Sequence, residues 1–166
     1  MKIDIITLFP ELIETFRSNG IIGRGVENNL LKINYVNLRE CSEDKHKRVD
    51  DYPYGGGPGM LLKPEPLYNA ITKVKTDNSY VIYLSPKWNL FTQQKAAEYA
   101  KLEHIIFIVG HYEGIDQRII DMFVDEEVSI GDYVLTSGEL PALIMTDAIA
   151  RLIPGVLGSE ESIIEE

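Results

Sequence analysis

A chain of 166 residues, 45% hydrophobic and 25% charged, is long enough for one domain with a real core and has an ordinary globular balance. No apolar run approaches the roughly 20 residues of a membrane span, and the acids inside the N-terminal MKIDIITLFPE argue against a signal peptide. One cysteine and three scattered histidines offer neither an internal disulfide nor a clustered metal site, so a cytosolic, reduced, metal-free protein is expected.

The net charge of −10 is unlike the basic footprint of a nucleic-acid binder. Its distribution is uneven, however. Residues 1–48 hold 8 Lys/Arg against 7 Asp/Glu, residues 49–110 hold 6 against 6, and residues 111–166 hold 2 against 13. The acid is concentrated in the last third.

In chain order, KIDIITLF predicts a buried strand, and PELIETFRSNG a helix that starts on Pro10 and stops at Gly20. KINYVNL alternates like a strand. From Glu40 to Met60 runs a polar, Gly/Pro-rich loop of about 20 residues, a length usually reserved for functional or mobile segments. PEPLYNAITKVK predicts a helix opening on prolines, SYVIYLS a strand, TQQKAAEYAK a helix and HIIFIVG a strand. IDQRIIDMF predicts a helix, VDEEVSI a strand, and ELPALIMTDAIARLI a last helix with its proline in the first turn. Strands alternating with helices predict an α/β domain whose parallel sheet carries helices on both faces.

Several features carry chemistry. The apolar run Ile105 to Val109 ends at Gly110, a second run ends at Gly131, and Gly138 follows closely. Glycines at strand ends let backbone approach a ligand. With Tyr112 and Tyr133 just beyond, they point either to a flat ligand held by main-chain groups or to plain tight turns. Lys45-His46-Lys47-Arg48 is a basic cluster, which by itself reads more readily as a solvated loop than as a binding site. Arg151 lies in an otherwise apolar helix and, by spacing, could snorkel to the surface or pair with Asp147. The closing SEESIIEE reads alone as an acidic tail.

The strings GHYEGIDQRI, SIGDYVLTSGELPAL and RLIPGVLG, together with LFPE, VDDYPYGGGPGM and YLSP upstream, resemble the bacterial tRNA (guanine-N1)-methyltransferases of the SPOUT superfamily over essentially the whole chain. The resemblance implies a C-terminal deep trefoil knot, which periodicity does not reveal and which is an exception among chain connections. It implies S-adenosylmethionine as methyl donor, tRNA as substrate and a homodimer with the substrate site between subunits. Magnesium is allowed as an aid, while no membrane or DNA partner is expected. Residues 1–158 would form the knotted catalytic domain and 159–166 the start of a linker to the family's helical, tRNA-gripping domain.

Carried over residue by residue, the resemblance assigns cofactor contacts to Gly110, Ile130, Gly131, Asp132, Tyr133, Val134 and Leu135. Tyr83, Leu84, Ser85, Pro86, Tyr112, Glu113, Gly138 and Pro141 are their neighbours. Methylating N1 of guanine requires a base for its proton and a partner for the charge that spreads to O6. Arg151 matches the family's charge-steadying arginine. The family's aspartate base matches Glu166, preceded by Glu165, so the carboxylate here is one methylene longer. The family often has two consecutive glycines where this chain has Ser137-Gly138. His46, Arg48, Asp50, Gly55, Gly56 and Gly57 match the tRNA-facing segment, whose glycines could form an anion-binding nest. Two rival readings stand beside this one: a non-catalytic S-adenosylmethionine- or RNA-binding remnant of the family, and an unrelated nucleotide-binding α/β domain.

Overall fold

The computed structural model describes residues 1–111 and 113–158, and at Trp88 the backbone alone. In chain order the elements are β1 (Lys2–Thr7), α1 (Pro10–Arg17), α2 (Gly20–Glu27), β2 (Lys32–Asn37), a 3-10 turn (Leu38–Cys41), β3 (Asp50–Asp51) and β4 (Leu61–Leu62). They continue with α3 (Pro64–Val74), β5 (Ser79–Leu90), α4 (Gln93–Tyr99), β6 (His104–Ile108), α5 (Gln117–Phe123), β7 (Glu126–Ser129) and α6 (Glu139–Ala150). β2, β1, β6, β5 and β7 form one sheet in that order, every pairing parallel. β3 and β4 pair antiparallel in a small separate hairpin.

The central strands are apolar on both faces because both are covered. On one side Ile3, Ile5, Ile82, Ile105 and Phe107 pack against Ile13 of α1, Ile22 of α2, Tyr99 of α4 and Met145 of α6. On the other, Ile6, Val81, Ile106 and Ile108 pack against Leu67 and Ile71 of α3 and Ile119 of α5. Phe107 is fully buried in the middle strand, and truncating it to alanine would cost about 3–5 kcal/mol.

The predicted first helix is present, and a second helix that the sequence pattern had not revealed follows it directly. α1 ends at Arg17, and Gly20, at φ +63°, opens α2. GIIGRGVE looks like a breaker-rich segment, yet its glycines are packing devices. A Cβ on Gly23 would lie 2.8 Å from the Ser18 carbonyl carbon, and one on Gly25 2.9 Å from Leu31 Cδ1.

β5 is longer than expected. It pairs with β7 through Leu84, leaves the ladder, and rejoins it at Asn89, both positions facing Val128. Pro86 falls inside this excursion, where its missing N–H interrupts no ladder bond.

The long loop is half organised. The buried Ser42 donates from Oγ to Arg48 O (2.7 Å), and the Asp44 carboxylate accepts from the backbone N–H of His46 (2.8 Å). Val49 is fully buried. Beyond the β3 strand, Tyr52 and Tyr54 project into solvent and Gly55, Gly56 and Gly57 all have positive φ. No helix among the described residues is long and apolar enough to cross a membrane.

Candidate active site

Three segments converge at the carboxyl ends of β5, β6 and β7, the edge at which open parallel sheets bind their ligands. They are the β5 excursion, the turn after β6 and the loop from β7 to α6. Between them lies a cavity of about 310 Å³, at the lower end of the range for small-molecule sites.

Of the residues expected to hold a ligand, the structure brings together Tyr83, Leu84, Ser85, Pro86, Gly110, Glu113, Ile130, Gly131, Tyr133, Val134, Leu135, Gly138 and Pro141. Asp132 does not join them. It is exposed on the same loop and lines no part of the cavity. Tyr112 lies outside the described residues, as do Glu165 and Glu166, so no placement of the expected base is given. Lys87, His111, Ser129 and Thr136 also line the cavity and had not been singled out, and Ser137, standing where the family often has a glycine, lines it too.

The glycines are close-approach positions, and the approach is between segments of the chain itself. Gly110 does not use positive φ. A Cβ there would sit 3.2 Å from the Tyr83 ring and 3.3 Å from Leu84 O. At Gly138 a Cβ would come within 3.0 Å of Gly110 N, while the Gly138 N–H donates to Gly110 O at 3.0 Å. The two loops are thus clamped backbone to backbone. The Tyr133 ring folds over Gly131, where a Cβ would meet it at 2.2 Å. Tyr83 is buried beneath the cavity, and its hydroxyl is pushed up to about 12. Burial is the main cause and the Glu127 charge adds to it, while a hydrogen bond from the Ile115 backbone opposes both. Tyr83 is therefore a neutral phenol at physiological pH, a wall and not a base.

Behind the cavity is a network that the sequence concealed. Glu139, fully buried at the start of α6, accepts from Thr7 Oγ1 (2.7 Å), and each of its carboxylate oxygens lies 2.9 Å from His111 Nε2. Burial pushes this carboxyl up, but the His111, Thr7 and Ser137 hydrogen bonds outweigh it and hold the group below its ordinary range. A charged carboxylate here pins α6, β1 and the turn after β6 together, as buried charges must be paired to be tolerated.

Arg151 is elsewhere. It sits just past the end of α6, its N–H closing the helix on Asp147 O at 3.1 Å, and lines a separate groove of about 500 Å³ with Phe16, Leu140, Ile144 and Asp147. One chain therefore does not place Arg151 in the ligand cavity. Leu140 and Ile144 are apolar yet 54% and 51% exposed, with Phe9 and Leu12 of the neighbouring segment also exposed.

In the long loop, Arg48 remains exposed while its guanidinium pairs with Asp44 (Nη2–Oδ2 3.0 Å). That contact, with the backbone N–H of His46, holds the Asp44 carboxyl well below its usual range. His46 is exposed, Asp50 half-buried opposite Leu62, and nothing lies within 4 Å of a Cβ built on Gly55, Gly56 or Gly57. Among the described residues no group of three or more His, Cys, Asp or Glu is arranged to hold a metal.

Known proteins match this chain in sequence and in fold. The family model described as tRNA (Guanine-1)-methyltransferase TrmD matches residues 1–166. A tRNA (guanine-N(1)-)-methyltransferase of Ruminiclostridium cellulolyticum is 53% identical over 169 residues, covering 100% of this chain and 72% of the relative. One of Staphylococcus aureus (strain JH9) is 56% identical over 163 residues, covering 98% of this chain and 66% of the relative. The crystal structure of the tRNA (m1G37) methyltransferase from Aquifex aeolicus superposes with a TM-score of 0.88 at 37% identity, over 96% of this chain and 72% of that one. With a family model matched along residues 1–166 and relatives at this identity, the chain belongs to the tRNA (guanine-1)-methyltransferase family.

Proposed function

We propose that this chain transfers a methyl group from S-adenosylmethionine to N1 of the guanine on the 3′ side of the anticodon, position 37 of tRNA, working as a cytoplasmic homodimer. The observation that carries this is the cavity itself: 13 of the 15 residues carried over as cofactor contacts line one pocket at the carboxyl edge of the sheet. The fit to the cofactor is physical. Main-chain groups around Gly110, Gly131 and Gly138 can read an adenine edge, and Leu84, Pro86, Ile130 and Leu135 supply apolar walls. A side chain at Gly110 or Gly138 would intrude where the loops must touch.

When bound, S-adenosylmethionine supplies an electrophilic methyl on sulfur. The chain's own residues do the rest. The clamped loops hold a fixed geometry, which is worth several kcal/mol of activation barrier. Arg151 places a permanent cation against the charge that grows on guanine O6 as N1 loses its proton. Glu166 takes that proton. His46, Arg48, Asp50 and the Gly55–Gly57 run face the tRNA, where the basic cluster offers phosphate contacts. Magnesium enters by the resemblance alone, since among the described residues no group of three or more His, Cys, Asp or Glu is arranged to hold it.

The homodimer reading is supported by two features of one face. Leu140 and Ile144 leave apolar surface in water beside the Arg151 groove, the mark of an interaction surface. Arg151 also lies outside its own chain's cofactor cavity, the arrangement expected if it serves the cavity of a second copy. A deep knot is supported by two ties near the cavity: the end of β7 to the residue after β5, Phe91 N–H to Ser129 O at 2.7 Å, and the start of α6 to the turn after β6, Gly138 N–H to Gly110 O at 3.0 Å.

The test is methyl transfer from labelled S-adenosylmethionine into a tRNA transcript with guanine at position 37. N1-methylguanine should form there and vanish when that base is adenine. Cofactor binding without any transfer would mean a non-catalytic remnant.

A further inference from the structure

The glycine-rich run between Tyr54 and Met60 contains four glycines at positive φ, but they are not alike. A Cβ on Gly55, Gly56 or Gly57 would meet nothing within 4 Å. A Cβ on Gly59 would lie 2.4 Å from Glu113 Cγ and 2.8 Å from Glu113 Oε1. The fourth glycine is thus occupied by a side chain of the cofactor cavity.

The backbone around it is stitched to the same turn. The Glu113 N–H donates to Met60 O at 3.0 Å, the Leu62 N–H to Gly114 O at 3.0 Å, and the Asp116 N–H to Leu62 O at 3.3 Å. Leu62 and Ile115 form a parallel bridge. These bonds fix the exit of the loop onto the turn after β6. Among the described residues lining the cavity, Glu113 is the one carboxylate. It is therefore the natural partner for a cationic or hydroxyl-bearing part of the ligand.

We propose that Gly59 is a positioning residue: its missing side chain is the seat in which the Glu113 carboxylate rests, so that the glycine-rich loop builds the cofactor site as well as facing RNA. Ordinary carbon–carbon contact needs about 3.5–4.0 Å. A methyl at position 59 must therefore drive Glu113 aside by about 1 Å or more, enough to spoil a hydrogen bond to a ligand. The division of labour follows from the geometry. Gly55 to Gly57 serve the RNA side, and Gly59 serves the cofactor side. The inference rests on the cavity being the S-adenosylmethionine site.

Titration calorimetry of the whole chain with S-adenosylmethionine tests it. The unaltered protein is measured first, and failure of that protein to bind would overturn the functional reading and not the role of Gly59. Gly59→Ala should bind about tenfold more weakly or worse, within the usual span of coupling between neighbouring sites. Gly55→Ala carries the same backbone strain, both glycines sitting at φ +86°, but has open space above it, so its cofactor affinity should be unchanged. In a Glu113→Ala background, adding Gly59→Ala should cost nothing further, because the side chain it displaces is gone. Equal losses with and without Glu113, or normal binding by Gly59→Ala, would overturn the inference. If Gly59→Ala fails to fold, hydrogen exchange on the unaltered protein decides. Cofactor should slow exchange of the Glu113 and Leu62 amides that join the two segments, and unchanged exchange there would sink the idea.

Discussion

The two ends of the same parallel sheet handle their polar groups in opposite ways. At the amino end, Asp4 on β1 is almost fully buried and completely engaged. It accepts from Asn34 on β2 (3.1 Å), lies 3.0 Å from Lys2 Nζ and 2.6 Å from His104 Nε2 on β6. His104 Nδ1 in turn meets Ser79 Oγ on β5 at 2.7 Å. Four adjacent strands are laced by side chains that satisfy one another, and nothing is left to offer a ligand. At the carboxyl end the side chains withdraw. Gly110, Gly131 and Gly138 bring main chain to the surface of a cavity, and the charged network of Thr7, His111 and Glu139 stands behind it as support. Serine, histidine and aspartate in contact do not make a catalytic centre when they are buried and spent on each other. A site is where polar capacity is left over.

The sharpest way to break this contrast is at the laced end. Asp4→Ala removes the hub and leaves His104 and Lys2 without their carboxylate. Losing one partner of a buried pair costs about 3–5 kcal/mol, and for a chain this size each kcal/mol lowers Tm by roughly 2–4 °C. A thermal melt should therefore drop by about 10 °C, while S-adenosylmethionine affinity, measured well below the new Tm, stays as it was. A cofactor affinity that fell in step with stability would show that the two ends are not independent.

At the open end the largest effect should come from Arg151. Arg151→Ala should lower turnover by about a hundredfold to a thousandfold, the usual cost of losing one group that stabilises developing charge. Cofactor affinity should hold, because Arg151 lies outside the cavity. Mixing this variant with a partner chain whose cavity is weakened, at a cofactor concentration that fills only the unaltered cavity, sharpens the point. If the site is shared between copies, a heterodimer of Arg151→Ala and Gly110→Val should recover part of the lost activity. Gly110→Val alone should weaken cofactor binding about tenfold to a hundredfold, since overpacking against the Tyr83 ring and Leu84 O costs about 1–3 kcal/mol. Normal titration heat from that variant would mean the cavity tolerates a side chain there, and the clamp would lose its importance.

How much of this was written in the sequence differs between the two ends. The sheet was legible because strands covered on both faces read as unbroken apolar runs, as HIIFI does. The helix α2 was not, because Gly20, Gly23 and Gly25 read as breakers when two of them are points of close packing. The excursion of β5 past Pro86 was hidden for a similar reason, since a proline within a strand normally argues against one. Glycine spacing alone left turn and ligand loop equally open, and the family's strings decided between them. What no local pattern could show is pairing across the chain. Thr7 and Glu139 are 132 residues apart, and nothing near Asp4 in the sequence pointed to His104, 100 residues away. Arg151 read as a helix-face residue, and the structure sets it just beyond the helix in a groove of its own.

The smallest effect expected is also the most local. Tyr83 forms the floor of the cavity, its hydroxyl raised to about 12 by burial first and by the Glu127 charge second, against the hydrogen bond from Ile115. A folded value above the ordinary tyrosine value of about 10 means that the fold favours the neutral phenol. The stability this contributes is complete below pH about 10 and is lost as pH rises through the interval to about 12. Tyr83→Phe keeps the ring that packs over Gly110 and removes the titrating group. At neutral pH it should cost about 1 kcal/mol for the hydrogen bond lost by the Ile115 N–H, with cofactor affinity nearly intact. Between pH 10 and 12 its denaturant-measured stability should fall less steeply than that of the unaltered protein. Some decline will persist, because Tyr99 is also raised, by burial and then by its hydrogen bond to Glu126. Identical slopes for the two proteins would mean that Tyr83 already ionises freely, and that the floor of the cavity is wetter than its packing implies.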